Sequence, residues 1–536
     1  MDSEEGAFDI IILGTGLTES IAAAALSKAG FKVAHIDQNP YYGAGEASLS
    51  LEELVQWQNA PKPGFSSFSR SEDTLAQARA YSISLSPSLI PSTGPLIDAL
   101  VASGVARYGG FRLIERVCVY GSGTVKPVPG SKEDIFKNKE ISLLDKRRIM
   151  RFLMFASGDF EDKKELEGHA DTPFPEYLKT VFSLNDEMTN AIAYALAYCL
   201  SPAGGIFAPQ AATAPPPSSS GTTAAQARSP KAFCRTAAVS GGVYILGRDI
   251  ESISSSSSPL KHVLRLADFP DPLTCSLLIS SPSYSRSSSS RATPVAPQSS
   301  SAPFSASSPT CAVARCIAII DRPLALGAPT TPPTEDAPPS DEPVESAAPE
   351  DGAPASPPSP LPVFDTAVIV FPPSSLPSGS ATAAATVLLT GEGTMSCPKG
   401  KWILYIALPL PPATNPSDAD PQALLKPYLD ATLALADGDT PATPLFSSYY
   451  IQHPASSPSP QQGADADAAA PAHLAPTPLP PILPLPDAAE AAAVHAEQVF
   501  WEAVKILRPT SDGEGEEEGI TSLWPPMESR EEDEED

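Results

Sequence analysis

The sequence predicts a mixed α/β fold, α+β over its later strands, with a parallel βαβ unit opening the chain, a helical insertion and long low-complexity linkers. Three observations predict it. Residues 8–13 form a run that is apolar but for Asp9, followed by a glycine turn, an alanine-rich stretch at 18–29, Gly30 and the run FKVAHID. That order is strand, tight turn, helix, glycine cap and second strand. Segments at 142–156 and about 186–200 carry apolar residues at helical spacing. Finally, 62 of the 536 residues are proline and only 18% are charged, so much of the length is Pro/Ala/Ser sequence rather than core.

The ordered islands follow in sequence. Residues 111–120 (FRLIERVCVY) alternate as one strand. Ser142 opens a helix with Asp145 three residues on, close to a capping box. Its apolar stripe is Leu144, Ile149, Phe152, Leu153 and Ala156, interrupted on other faces by Lys146, Arg147, Arg148 and Arg151. The 186–200 helix places Met188, Ile192, Leu196 and Cys199 on one face and alanines on the others, which predicts a buried or cavity-lining element. Order is expected again at 231–250, 311–324, 364–371, 386–408 and 487–507, the last capped by Asp487. Between them, 209–230, 253–260, 283–310, 329–362, 410–424 and 452–486 lack the apolar content to offset chain entropy and are expected to be unfolded linkers.

The formal net charge of −28 argues against nucleic acid or an anionic membrane as a general partner. Residues 512–536 hold twelve acidic residues against one arginine, which predicts a solvated acidic tail over 511–536. Seven cysteines without a CxxC pair argue for a reducing compartment and against a zinc or disulfide framework. The acidic start MDSEEGAFDI predicts no signal peptide, no apolar run reaches the roughly 18–20 residues that span a bilayer, and no prenylation box closes the sequence. A cytosolic protein is expected. The six histidines are scattered, with no HExxH and no nucleophile elbow, and His35 reads as a core residue.

The glycine turn reads Gly14-Thr15-Gly16-Leu17-Thr18-Glu19. In a working dinucleotide fingerprint the first glycine makes the turn, the second lets the backbone approach a pyrophosphate and the third allows close strand–helix packing. Gly14 and Gly16 hold the first two places, and Asp37 falls where a ribose-binding acid belongs. Glu19 stands in the third place. A carboxylate there is favoured by the helix dipole and repels an incoming phosphate. The expectation is a degenerate, Rossmann-type FAD/NAD-binding-like domain with no bound cofactor.

These motifs carry a specific likeness. GTGLTES followed by HIDQNPYYGAGEASLSLEEL resembles the opening signature of the Rab escort protein / Rab GDP dissociation inhibitor family, and so do YSISLSPSLI, RYGGFRLIERVCVY, VPGSKEDIFKNKEISLLDKRRIMRFLMF, FCRTAAVSGGVYIL and TMSCPKGKWILYI in order. The FCR island, CIAIIDRPL and the last stretch lean toward the escort branch, component A of Rab geranylgeranyltransferase. The PLYGLGE-like run, with an acidic platform residue, that the family carries just before the FCR motif is replaced here by APQAATAPPPSSSGTTAAQARSPKA.

The resemblance implies a discontinuous Rab-binding domain over 1–135, 231–408 and 487–507, and a helical isoprenoid-binding insertion at 136–205. It implies a Rab platform at Tyr41, Tyr42, Arg235 and Ile245. Tyrosine offers area plus a hydroxyl and arginine a rigid fork of donors, both favoured at binding hot spots. It places the geranylgeranyl group against Met188, Ile192, Leu196 and Cys199, and transferase docking at Phe155, expected to stand exposed. The implied partners are GDP-bound Rab GTPases, the α/β transferase heterodimer and the lipid of prenylated Rab, with only transient membrane contact. A GDP dissociation inhibitor and a flavin-dependent oxidoreductase remain the alternatives.

Overall fold

The computed structural model describes residues 6–59, 64–72, 75–107, 111–157, 164–169, 171–201, 223–225, 229–257, 260–281, 283–284, 293–295, 311–327, 362–411, 419–438, 440–454, 471–476, 485–508 and 520–525. The βαβ unit forms as expected. The Ala7–Leu13 strand leads through the glycine turn into the Leu17–Lys28 helix and on to Val33–Asp37, which pairs parallel to the first strand. Gly14, at φ 98°, makes the turn. A side chain there would be strained and would meet Ser281.

The first sheet runs, in spatial order, Val243–Leu246, Val33–Asp37, Ala7–Leu13, Leu273–Ser280, Leu260–Leu266 and Ile250–Ser257, with Ala472–Pro476 also parallel to Leu273–Ser280. On one face the Leu17–Lys28, Ser229–Val239 and Leu485–Leu507 helices share an apolar cluster built on Ile10, Ile12, Ile21, Phe233 and Phe500. The other face packs Ile11, Leu13 and Ile36 with Leu264, Leu266 and Tyr284. The second sheet has eight strands, Phe65–Arg70, Phe446–Gln452, Val313–Ile320, Trp402–Pro409, Ala385–Thr390, Thr366–Phe371, Arg116–Gly121 and Thr124–Pro127. Val313–Ile320 is buried at every residue and apolar but for Arg315, whose Nε donates to Gln452 Oε1 at 2.6 Å. The Pro421–Leu433 helix covers one face. The other shares a cluster with the helical segments between Lys132 and Leu196.

Several expectations change. The single strand at 111–120 is two: Phe111–Leu113 pairs in a small sheet, while Arg116–Gly121 joins the second sheet. The break falls at Glu115, whose N–H donates to Thr366 Oγ1 and whose Oε2 accepts from Asp365 N. The serine run at 253–260 is not an unfolded linker. Ile250–Ser257 forms a hairpin with Leu260–Leu266, whose Leu264 and Leu266, together with Ile253, supply the buried apolar side chains that the serines lack. Ala472–Pro476, inside the expected 452–486 linker, is a largely buried strand, and Thr223–Ala225 and Thr293–Val295 also pair. The 410–424 stretch ends in the Pro421–Leu433 helix, which Asp420 caps by accepting from Gln422 N and which buries Leu425, Tyr428 and Leu429. The long C-terminal helix begins at Leu485, so Asp487 lies within its first turn rather than at its cap. Residues 329–361 and 511–519 lie outside the described residues.

In the helical segment, Ser142 Oγ accepts from Asp145 N and starts the Leu143–Ala156 helix as expected. Leu144 does not join its stripe. It is 57% exposed, because the buried side is centred on Ile149 and Phe152 and Leu144 falls on the solvent side. The 186–200 element is a short α-helix, Asp186–Asn190, continuing as a π-helical turn, Ala191–Leu196.

Candidate functional site: a sealed glycine turn beside a tyrosine–arginine surface

Thr15 is the hinge of the turn. Its backbone N–H and Oγ1 both donate to Asp37 Oδ2, at 2.8 and 2.6 Å, and Oγ1 accepts from Gly43 N at 2.9 Å. The other Asp37 oxygen, Oδ1, accepts from Asn39 N, Asn39 Nδ2 and Tyr284 Oη at 2.8–2.9 Å. Asp37 is fully buried and satisfied by five protein donors. Its acceptor capacity goes to tying the turn, the 39–43 segment and Tyr284 together.

At the N-terminus of the Leu17–Lys28 helix the anion position is taken from within the chain. Glu46 Oε2 accepts from Leu17 N at 2.5 Å. The Glu19 carboxylate folds back to Gly16, 2.6 Å from where a Cβ would stand, and Glu46 lies 3.6 Å from the same point. Gly16 is thus required by a protein carboxylate. Burial, joined by the neighbouring Glu46 and Asp37 charges, pushes Glu19 up to about 8, and burial raises Glu46 as well. On the far side, Tyr284 and Ser281 crowd Gly14. A dinucleotide pyrophosphate would meet two carboxylates and a filled cradle, so the residues present do not fit one. Sequence reasoning found Glu19 but missed Glu46, Thr15 and Tyr284. Glu46 sits in the GAGE run that was read only as part of a signature.

The sign of the Glu19 shift gives a test. A carboxyl whose folded pKa lies above its unfolded value costs nothing below the unfolded value. Its penalty grows as pH rises from about 4.5 through about 8. Glu19→Gln is expected to be close to the wild type in urea unfolding near pH 4.5 and to exceed it by about 4 kcal/mol near pH 8.5. Equal stability at both pH values would show that the carboxyl is not held protonated.

The candidate platform lies alongside. His35 Nε2 donates to Gly14 O at 2.5 Å, and Tyr244 Oη donates to His35 Nδ1 at 3.2 Å. This assignment follows because a carbonyl only accepts. Burial pushes His35 down to about 4, so it is a neutral core residue as expected. The Tyr244 ring meets Tyr42 edge-on at 5.6 Å. Gly43, at φ 101° and close against Ala47, sets the turn that presents Tyr42. Tyr42 is half-buried and its hydroxyl is raised by burial. Arg235 stands exposed on the Ser229–Val239 helix, beside Cys234, whose Sγ lies 3.2 Å from Ser20 Oγ.

Two candidates point elsewhere. Tyr41 packs half-buried against the cluster holding Trp57, and Ile245 lies on the sheet face opposite Tyr244, against the cluster of Ile36 and Leu264. Strand alternation separates Ile245 from Tyr42. Tyr244, absent from the sequence candidates, takes the place between Tyr42 and the glycine turn.

Met188, Ile192, Leu196 and Cys199 all pack into one apolar cluster with Phe152, Tyr177 and Phe182. Ile192 is buried and the other three are half-buried. Tyr177 Oη and Thr189 Oγ1 are buried in this region without a hydrogen-bond partner among the described residues. Phe155 is not exposed. It is half-buried, 5.2 Å from the Phe182 ring and 6.5 Å from that of Tyr177. The exposed side of its helix is instead Leu143 (79%), Leu144, Arg147, Arg151 and Met154 (67%). Among the described residues no group of acidic, His and Cys side chains could hold a metal, and no helix is long and apolar enough to cross a membrane.

Residues 1–203 match the family model for GDP dissociation inhibitor, GDI. That stretch is therefore similar to the GDI family. The likeness read from the glycine turn and the NPYYGAGE run is thereby shown. The chain is 29% identical over 310 residues to Rab proteins geranylgeranyltransferase component A of Drosophila melanogaster, covering 52% of this chain and 60% of that protein. It is 27% identical over 342 residues to component A 1 of Caenorhabditis elegans, covering 52% and 65%. It is 34% identical over 205 residues to a probable secretory pathway GDP dissociation inhibitor of Schizosaccharomyces pombe, covering 38% and 44%. The chain spans less than two thirds of the curated relatives it matches. Among solved structures, Rab GDI from Plasmodium falciparum superposes with a TM-score of 0.57 at 18% identity, over 93% of this chain and 98% of that one. An oxidoreductase from Methanosarcina mazei reaches 0.50 at 14% identity, over 87% and 94%. These likenesses show the fold, a mixed α/β architecture common to a GDI and to an oxidoreductase.

Proposed function

We propose that this chain is a Rab escort protein. It binds a GDP-bound Rab, presents it to the α/β heterodimer of Rab geranylgeranyltransferase as a non-catalytic component, and shields the attached geranylgeranyl group on the way to membranes. The observation that carries this reading is the sealed glycine turn. Glu19, Glu46 and Asp37 spend the former cofactor site on fixing the Tyr42 turn beside Tyr244 and the Arg235 helix, which suits a rigid protein-binding surface. The component A relatives support the escort branch.

In this reading the lipid enters the helical segment near Met188, Ile192, Leu196 and Cys199 by parting its packing. Each methylene buried contributes about 0.8 kcal/mol. Transferase docking moves from Phe155 to the exposed Leu143, Leu144 and Met154 with Arg147 and Arg151. A GDI-type protein that only extracts and recycles prenylated Rab is the second reading, favoured by the secretory-pathway relative. It assigns no role to that exposed apolar side.

Tyr42→Ala and Arg235→Ala are each expected to weaken binding of GDP-loaded Rab by about 1–3 kcal/mol while leaving thermal unfolding nearly unchanged. Titration calorimetry reads both, and wild-type affinity in both variants would remove the platform assignment.

A further inference from the structure

The first sheet buries two histidines away from the glycine turn. His262 is fully buried on Leu260–Leu266 and His473 nearly so on Ala472–Pro476, and their rings meet edge to face at 6.0 Å between centroids. Both strands lie against one edge of Leu273–Ser280, Leu260–Leu266 at its start and Ala472–Pro476 at its end, because Ala7–Leu13 fills the other edge. Strand alternation puts both imidazoles on the face of Leu264, Cys275 and Leu278, opposite the helices that pack on Ile10, Ile12 and Leu474.

These two side chains tie the short strand to its neighbours. His262 Nε2 donates to Ala472 O at 2.8 Å, since a carbonyl only accepts, and His473 Nε2 lies 2.7 Å from Ser280 Oγ. The bare nitrogen of His262 is therefore Nδ1, which is buried with no hydrogen-bond partner among the described residues. A proton there would make a buried N–H without an acceptor and a charge without solvent, beside a second imidazole, and opening removes both costs. Burial accordingly holds His262 below its ordinary value, and no carboxylate among the described residues offsets a charge on it. The other groups around the pair do not help. Leu273–Ser280 contributes Cys275, the register partner of His262, whose thiol burial pushes up to about 12. Lys261, next to His262 in the chain, lies in electrostatic reach of Cys275 and adds to the cost of a further positive charge. Ile250–Ser257 sets Ser255 opposite His262, Thr293–Val295 has no ionisable side chain, and Asp9 of Ala7–Leu13 is exposed and accepts from Lys32 N. The Leu485–Leu507 helix, with Glu490 and His495, packs on the opposite face.

We infer that the His262–His473 pair is an acid-sensitive latch on the Ala472–Pro476 strand. Neutral, the pair holds the strand on Leu273–Ser280; proton uptake releases it. Release bares the backbone edge of Leu277–Ile279, which another extended segment can pair with. The direction follows from linkage. An imidazole held below its ordinary value of about 6.5 while shut takes up its proton on opening, so the open state gains as pH falls below about 6.5 and gains nothing above it. The latch is independent of the Rab-binding reading.

Hydrogen exchange of the full chain, read by mass spectrometry and corrected for the pH dependence of unfolded-chain rates, tests this. From about pH 7 to about pH 5 the 472–475 amides are expected to lose protection about 20-fold, the change set by one imidazole that titrates near 6.5 only when open. The 10–13 amides of the central strand are expected to keep theirs. Unchanged protection at 472–475 overturns the latch, and so does a loss that spreads equally to 10–13, which is general acid unfolding. The double variant His262→Gln, His473→Gln keeps a donor for Ala472 O and a partner for Ser280 without a titrating ring, and is expected to show no difference between the two pH values. The wild-type change persisting in it assigns the effect to other groups and overturns the latch. Should the variant fail to hold the strand even at about pH 7, the wild type decides alone. Loss of protection that begins below about 6.5 supports the imidazoles, and loss that begins only below about 5, toward the carboxylate range, overturns them.

Discussion

Asp37→Ala is expected to lower the unfolding free energy by about 3–5 kcal/mol, among the largest effects of a single substitution in this chain. Five donors converge on its two oxygens: the backbone and hydroxyl of Thr15, the backbone and side-chain amide of Asn39, and the hydroxyl of Tyr284. Removing the acceptor leaves the buried donors of Thr15 and Tyr284 unpaired, and each such group costs about 1–3 kcal/mol before relaxation, while the half-buried Asn39 donors lie nearer solvent. Asp37→Asn replaces one accepting oxygen with a donor facing other donors, so it is expected to recover only part of the loss. The measurement is urea unfolding followed by near-UV circular dichroism. A ribose-binding aspartate would behave differently, since its removal from a protein without cofactor leaves stability nearly untouched. Wild-type unfolding of Asp37→Ala would therefore return this residue to a ligand-binding role.

The second large effect concerns the helix opened by Ser142. Leu144 and Met154 are 57% and 67% exposed on the side that also carries Arg147 and Arg151. Solvent gains nothing from this arrangement, whereas apolar anchors ringed by arginine are the usual composition of an interface centre. The double variant Leu144→Asp, Met154→Asp is expected to fold as the wild type and to bind GDP-loaded Rab unchanged. Transferase affinity should fall by at least about 2 kcal/mol, roughly 30-fold. Phe155→Ala is expected to act through stability, because its ring packs on Phe182 and Tyr177. Full transfer activity in the double variant would show that the transferase docks elsewhere.

The sequence made some of this legible for physical reasons. A buried parallel strand is mostly apolar and a glycine at positive φ has few substitutes, so the βαβ unit and Gly14 were readable. Glu19 was readable because charge and bulk both contradict a pyrophosphate. The partner carboxylate Glu46 was not, since its role depends on a turn that brings it back 29 residues to Leu17 N. Composition misled at Ile250–Ser257, where serines are carried by the apolar side chains of the paired Leu260–Leu266 strand. Periodicity misled at Leu144 and Phe155. A helical stripe locates a buried side only to within the angle between neighbouring positions, and the packing on Phe182 turned the helix so that Phe155 faces inward and Leu144 outward. Tyr41 and Tyr42 are adjacent in sequence, yet one faces the Trp57 cluster and the other Tyr244, a difference no residue-type argument contains.

The central claim is that this chain delivers Rab to a prenylating enzyme. Its most direct measurement is geranylgeranyl incorporation into GDP-loaded Rab by the purified transferase heterodimer, with and without this protein. The account predicts transfer that depends on the chain and falls when Tyr42 or Arg235 is replaced by alanine. Incorporation that is the same without the chain, while the chain still extracts prenylated Rab from membranes, would contradict the escort reading and leave a dissociation inhibitor in its place.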